Sequence, residues 1–227
     1  MPTSTHERLG TAGRARTWVV VAAVEALLGT IVVLADLGIP TLVLLLLVGA
    51  SLGIRREWLG SLGLHRTAAM PLILKMLAFA VVWSLFQLAV TMPVANHLSG
   101  SRQDLSAFDG LEGDVGLLLT LLLLSWTLAA FGEELAYRGF LLTRFREALG
   151  SGRLATVVAV IGTSVLFGFA HSEQGAVGVL IVTLDAVAFS LLRLHYGTLW
   201  APVLAHGFNN TLGFLAFFAV GPIHGLW

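Results

Sequence analysis

Cysteine is absent from this chain, and charged residues are scarce, 11% of 227. The first absence excludes disulfides, thiolate zinc sites and a cysteine nucleophile. The second falls well below the roughly 25% charged content of a soluble domain. With 57% hydrophobic residues and a mean hydropathy of +0.89, the chain cannot coat a water-facing surface, so lipid must cover much of it. Neither sign of charge is in excess: 13 Lys and Arg balance 13 Asp and Glu. That balance excludes the electrostatic footprint of a nucleic-acid partner or a polybasic tether. Internal repeats, low-complexity tracts and long linkers are also lacking, so a single integral-membrane domain over 1–227 is expected.

What the chain does have is apolar runs near the ~20 residues that span a hydrocarbon core of about 30 Å. They cover 18–35, 39–54, 72–94, 115–136, 154–170, 176–194 and 199–220. The expected fold is all-α, a polytopic helical bundle with about seven spans (six to eight), the second of them short. The opening MPTSTHERLGTAGRART is polar, and no small-residue cleavage site follows it, so the segment reads as retained.

The loops set an orientation. Arg8, Arg14 and Arg16 precede the first run, and Arg55, Arg56 and Arg66 lie near the second-to-third connection. Arg144, Arg146 and Arg153 flank the fourth-to-fifth connection, and Arg193 lies near the sixth-to-seventh. The connection after the third run has one cation, Arg102, beside Asp104, Asp109, Glu112 and Asp114. The positive-inside rule then puts the N-terminus in the cytoplasm and the C-terminus outside.

Ionisable groups inside spans cost at least a few kcal/mol each and call for a reason. Phe131 to Phe140 reads FGEELAYRGF. Glu134 and Arg138 are four apart on one helix face and can pair. Glu133 is turned about 100° away and stays unpaired. An unpaired carboxylate out of water holds protons more tightly, as a general base near neutral pH must. Glu133 is therefore the candidate base. An ion-pair network closing the helix describes the same three residues. SVLFGFAHSEQG places His171 after an apolar run with Phe167 one turn behind; alone, it reads equally as an interfacial histidine. In APVLAHGFNNTL, His206 and Asn210 share one face, as an interhelical hydrogen-bonding pair also would. Together, a Glu, two His and an Asn on three spans are the groups that activate a water and stabilise an oxyanion. Glu25 and Asp185, mid-span, read as interhelical partners or cavity-lining groups, and Lys75 and Gln87 as interfacial or bundle-facing.

Three motifs now stand in order: Glu133-Glu134-x-x-x-Arg138, Phe167-x-x-x-His171 and His206-x-x-x-Asn210. Their order, spacing and placement resemble the CAAX prenyl protease and bacteriocin-immunity family of intramembrane peptidases over roughly 115–215, the expected catalytic core. The resemblance implies that Glu133 and His171 activate the attacking water and that His206 and Asn210 bind the oxyanion. Glu134, Arg138 and Phe167 would support them. It also implies a membrane-associated peptide or protein substrate, and location in a bacterial plasma membrane is expected. No His-Glu-x-x-His pair is present, so no cofactor is expected. If zinc were used, its ligands would be Glu133, His171 and His206. The competing functions are a non-catalytic immunity or scaffold protein of the same fold and a small proton-coupled transporter. No inverted repeat supports the latter.

Glu133 lies 17 residues before Gly150 and His171 lies 19 after Gly152. These arms of about 26 and 28 Å bring the two residues level if the hairpin projects past the membrane on the cytoplasmic side. The expected site is then in the cytoplasmic half of the membrane.

Overall fold

The computed structural model describes residues 5–150 and 152–227, with side chains from Arg16 onward. Among them 81% are helical and none is in a strand. Seven helices follow one another: α1 (Thr5–Leu34), α2 (Pro40–Arg55), α3 (Ala69–Ser99), α4 (Val115–Leu149), α5 (Arg153–Phe169), α6 (Gly175–Tyr196) and α7 (Trp200–Val220). Each expected apolar run lies largely within one of them. Five helices contain stretches long and apolar enough to cross a membrane, while α2 and α5 are shorter apolar helices. Arg8 and Arg14, which count toward the expected orientation, lie outside the residues whose side chains are described.

Local chemistry sets several ends. Pro40 opens α2, where a missing N–H costs nothing. Asp114 caps α4 by accepting the Leu117 N–H at 2.9 Å. Gly197, at φ +67°, takes the left-handed conformation that ends α6 and turns the chain into α7.

The fourth helix runs past its apolar stretch, which ends at 136, to Leu149, as the arm lengths of the α4–α5 hairpin require, and protein buries its second half. Tyr137, Arg138, Phe140, Leu141, Leu142 and Arg144 are all within 2% exposure. From Ser125 to Glu133 and from Leu135 to Leu141 the winding is π-helical, a form that recurs at functional sites.

The core gathers Val33 of α1, Leu44 of α2, Leu62, then Tyr137, Phe140 and Leu141 of α4, Phe167 of α5, Ala186 of α6 and Val203 of α7. Two glycines let helices close in. A Cβ on Gly168 would strike Thr183 and the Val179 carbonyl, so α5 and α6 meet backbone to backbone there. A Cβ on Gly207 would sit 2.5 to 2.7 Å from the Trp126 ring, so α7 lies directly against α4 beside His206.

A charged cluster ties α1, α2 and the end of α4 together. Arg55 bonds Glu25 at 2.7 Å and Glu147 at 3.0 Å. Arg144, 1% exposed, meets Glu25, Glu57 and Glu147 at 3.2, 3.1 and 2.9 Å. Glu25 is thus an interhelical partner. Burial pushes the Glu57 carboxyl up, but hydrogen bonds from Arg144 and Ser61, with the charges of Arg144 and Arg55, hold it below the usual carboxylate range.

Candidate active site

Glu133, Phe167, His171, His206 and Asn210 line one cavity of about 430 Å³. The two residues at the ends of the α4–α5 hairpin arms, Glu133 and His171, therefore do share a site. Glu134 and Arg138 do not line the cavity but stand behind it, 0% and 2% exposed.

Glu134 is the hub of that buried layer. Its Oε1 accepts from Arg138 Nη1 at 3.0 Å and from His206 Nδ1 at 2.9 Å. The Glu134–Arg138 pairing expected from an α-helix survives the π winding around it. The bond to His206 has no sequence signal, since 72 residues separate the two. A carboxylate oxygen only accepts, so Nδ1 carries the proton, and His206 Nε2 has a proton to donate only when the ring is imidazolium. The His206 ring is stacked on Phe189 of α6, centroids 5.2 Å apart and 21° from parallel, which holds its plane.

The Phe-x-x-x-His spacing has a physical reading of its own. His171 Nδ1 lies 2.9 Å from the Phe167 carbonyl, one helical turn back. A carbonyl cannot donate, so Nδ1–H donates and Nε2 keeps a lone pair, the state a proton acceptor needs. The Phe167 ring meets the His171 ring at 4.8 Å and lies under the Arg138 guanidinium at 4.2 Å. One phenylalanine thereby orients the histidine through its backbone and covers the buried cation with its face.

Glu133 stays outside the ion pair, as its rotation from Glu134 implies. Its Oε2 is buried with no hydrogen-bond partner. Asn210 Nδ2 donates to Ser125 Oγ at 3.1 Å, which uses one of its two N–H groups and leaves the other.

Sequence reasoning missed Ser125, whose only sign was a lone hydroxyl in LLLLSW. It also missed Phe189, which no motif marks. Asp185 is both things it could have been. Its Oδ1 accepts from Trp83 Nε1 and Gln87 Nε2, each at 2.6 Å, and it lines the same cavity. Gln87 is accordingly bundle-facing, at 5% exposure.

Glu133, His171 and His206 border one cavity, and among the described residues no group of three His, Asp or Glu stands where it could hold a metal ion. The fourth group, the Asn210 amide, is a poor zinc ligand.

Residues 115–212 match the model of the Rce1-like family, described as type II CAAX prenyl endopeptidase Rce1-like. No curated protein and no solved structure matches the chain.

Proposed function

We propose, from the premise that residues 115–212 belong to the Rce1-like family of CAAX-type intramembrane proteases, that this chain hydrolyses a peptide bond inside the membrane with water activated by Glu133 and His171. The observation that carries the reading is the shared cavity: Glu133 of α4, His171 just beyond α5, and His206 and Asn210 of α7 all border it. Glu133, with its unpartnered buried oxygen, and His171, with Nε2 left as acceptor, take the proton of a bound water. The water oxygen adds to the scissile carbonyl carbon. The oxyanion that forms accepts from Asn210 Nδ2–H and, when the ring carries both protons, from His206 Nε2–H, with Nδ1–H donating to the Glu134 carboxylate. Collapse expels the amine, which takes the proton held by the base. Glu134, Arg138 and Phe167 keep the two histidines in place. No step passes through a metal.

The reading is tested by Glu133→Gln, which removes the base without changing shape. Peptide cleavage by the purified protein in detergent should fall by about 10²- to 10⁴-fold, with thermal unfolding unchanged. Wild-type activity in Glu133→Gln would take Glu133 out of the mechanism.

A further inference from the structure

Glu133 and His206 lie deep in a well, with His171 on the α5–α6 connection along its wall, and the lining of the well says which end is open. From Glu133, Phe189 and His206 it passes Asn210 and Phe217 of α7 to Gln103 and Phe108 of the α3–α4 connection and Ile223 beyond α7. No described residue of 56–68, 150–152 or 197–199, the connections at the opposite end, lines it. Along α7, His206 to Phe217 is 11 residues, about 16 Å. The site is therefore deep, and it is reached from the end that carries 100–114 and 221–227.

Charge identifies the sides. That end has Arg102 as its one cation in the sequence, among Asp36, Asp104, Asp109, Glu112, Asp114 and Glu173. The other end has Arg16, Arg55, Arg56, Arg66, Arg144, Arg146, Arg153 and Arg193, with Arg8 and Arg14 preceding them in the sequence. A bias this one-sided orients a membrane protein with its arginines in the cytoplasm. We infer that the well opens on the extracytoplasmic face, and that the substrate is a polypeptide segment presented from that side. Cytosolic prenylated C-termini would meet the closed end. The well is apolar along Leu88, Met92, Phe214 and Phe217, with Gln103 and Gln174 bonded to each other at 2.7 Å among its lining residues. Beside these glutamines stand Asp104 and Glu173. An apolar extended segment with a cationic residue just outside it is the substrate chemistry that matches. The identity of the segment as a substrate rests on the peptidase reading; the side of access does not.

The absence of cysteine makes the test clean, because each introduced thiol is unique. Single variants Gln103→Cys and Ile223→Cys report the mouth, and Arg56→Cys and Trp58→Cys report the opposite end. Intact spheroplasts are treated with a membrane-impermeant maleimide before and after permeabilisation. Mouth variants should label fully beforehand, and the opposite pair only afterwards. The reverse pattern in either mouth variant that reaches the membrane would overturn the inference. In a second arm, full-length protein in sealed vesicles of known orientation meets an impermeant fluorogenic peptide, apolar with a flanking lysine, against a Glu133→Gln background. Cleavage only when the 100–114 face is outward supports the inference; cleavage only with the arginine-rich face outward refutes it. No cleavage in either orientation or in detergent would remove the peptidase reading, while the labelling still decides which face the well opens on.

Discussion

Glu134→Gln separates the two adjacent glutamates most sharply. Glu134 is fully buried, and one of its oxygens neutralises Arg138 at 3.0 Å and holds His206 at 2.9 Å. Glutamine keeps the shape and an accepting oxygen but deletes the charge, leaving a guanidinium 2% exposed without its anion. The Coulomb attraction at that distance is about 5 kcal/mol for an effective dielectric constant of 20. Breaking a buried pair from one side costs roughly 3 to 5 kcal/mol, in agreement with it. At about 2 to 4 °C per kcal/mol for a chain this long, the unfolding midpoint should drop by roughly 6 to 20 °C. The assay is intrinsic tryptophan fluorescence during heating of detergent-purified wild type, Glu134→Gln and Glu133→Gln in parallel. Cation–π contact with Phe167, at 4.2 Å, keeps part of the Arg138 stabilisation, so the variant should still fold at low temperature. A midpoint for Glu134→Gln equal to wild type, with Glu133→Gln lowered instead, would refute the assignment of structural and chemical roles to the two residues.

Asn210→Ala should lower the cleavage rate by about 10²- to 10³-fold, as loss of one oxyanion donor does, and activity of the wild type should survive exhaustive chelation. Loss of activity to a chelator, restored by zinc alone, would reverse the metal-free mechanism. Gly207→Ala should destabilise by about 1 to 3 kcal/mol through overpacking against Trp126, and a thermal melt unchanged from wild type would show that α4 and α7 are not in contact there. The pH dependence of stability should carry a signature of Glu57. Its folded carboxyl is held below the ordinary range, so its contribution is complete above its unfolded value and disappears as the pH falls through the lowered one. The acid side of a melting-temperature profile should be shallower in Glu57→Gln, and superposable profiles would contradict it.

The membrane character and the helix count were legible in composition and apolar run length, because a bilayer imposes both on any chain that crosses it. The three motifs were legible for a related reason: residues one turn apart share a helix face, so Glu134 with Arg138, and His171 with the Phe167 carbonyl, are local arrangements. Long-range partners were not. Asn210 finds Ser125 across 85 residues, and His206 finds Glu134 across 72. The burial of 137–149 was not legible, because its polar residues suit an exposed helical arm until Glu25, Arg55 and Glu57 from other elements neutralise Arg144 and Glu147. Apolar periodicity cannot assign faces in a helix such as α3, where Leu74 and Val82 look outward while Met76 and Ala80 are buried, since lipid and protein interior are equally apolar. Sequence alone thus determined that the chain is a helical membrane protein with three motifs in the order and spacing of a known family. Tertiary structure alone decided that those motifs border one well, and which end of the bundle it opens toward, because both depend on contacts between helices that no local spacing encodes.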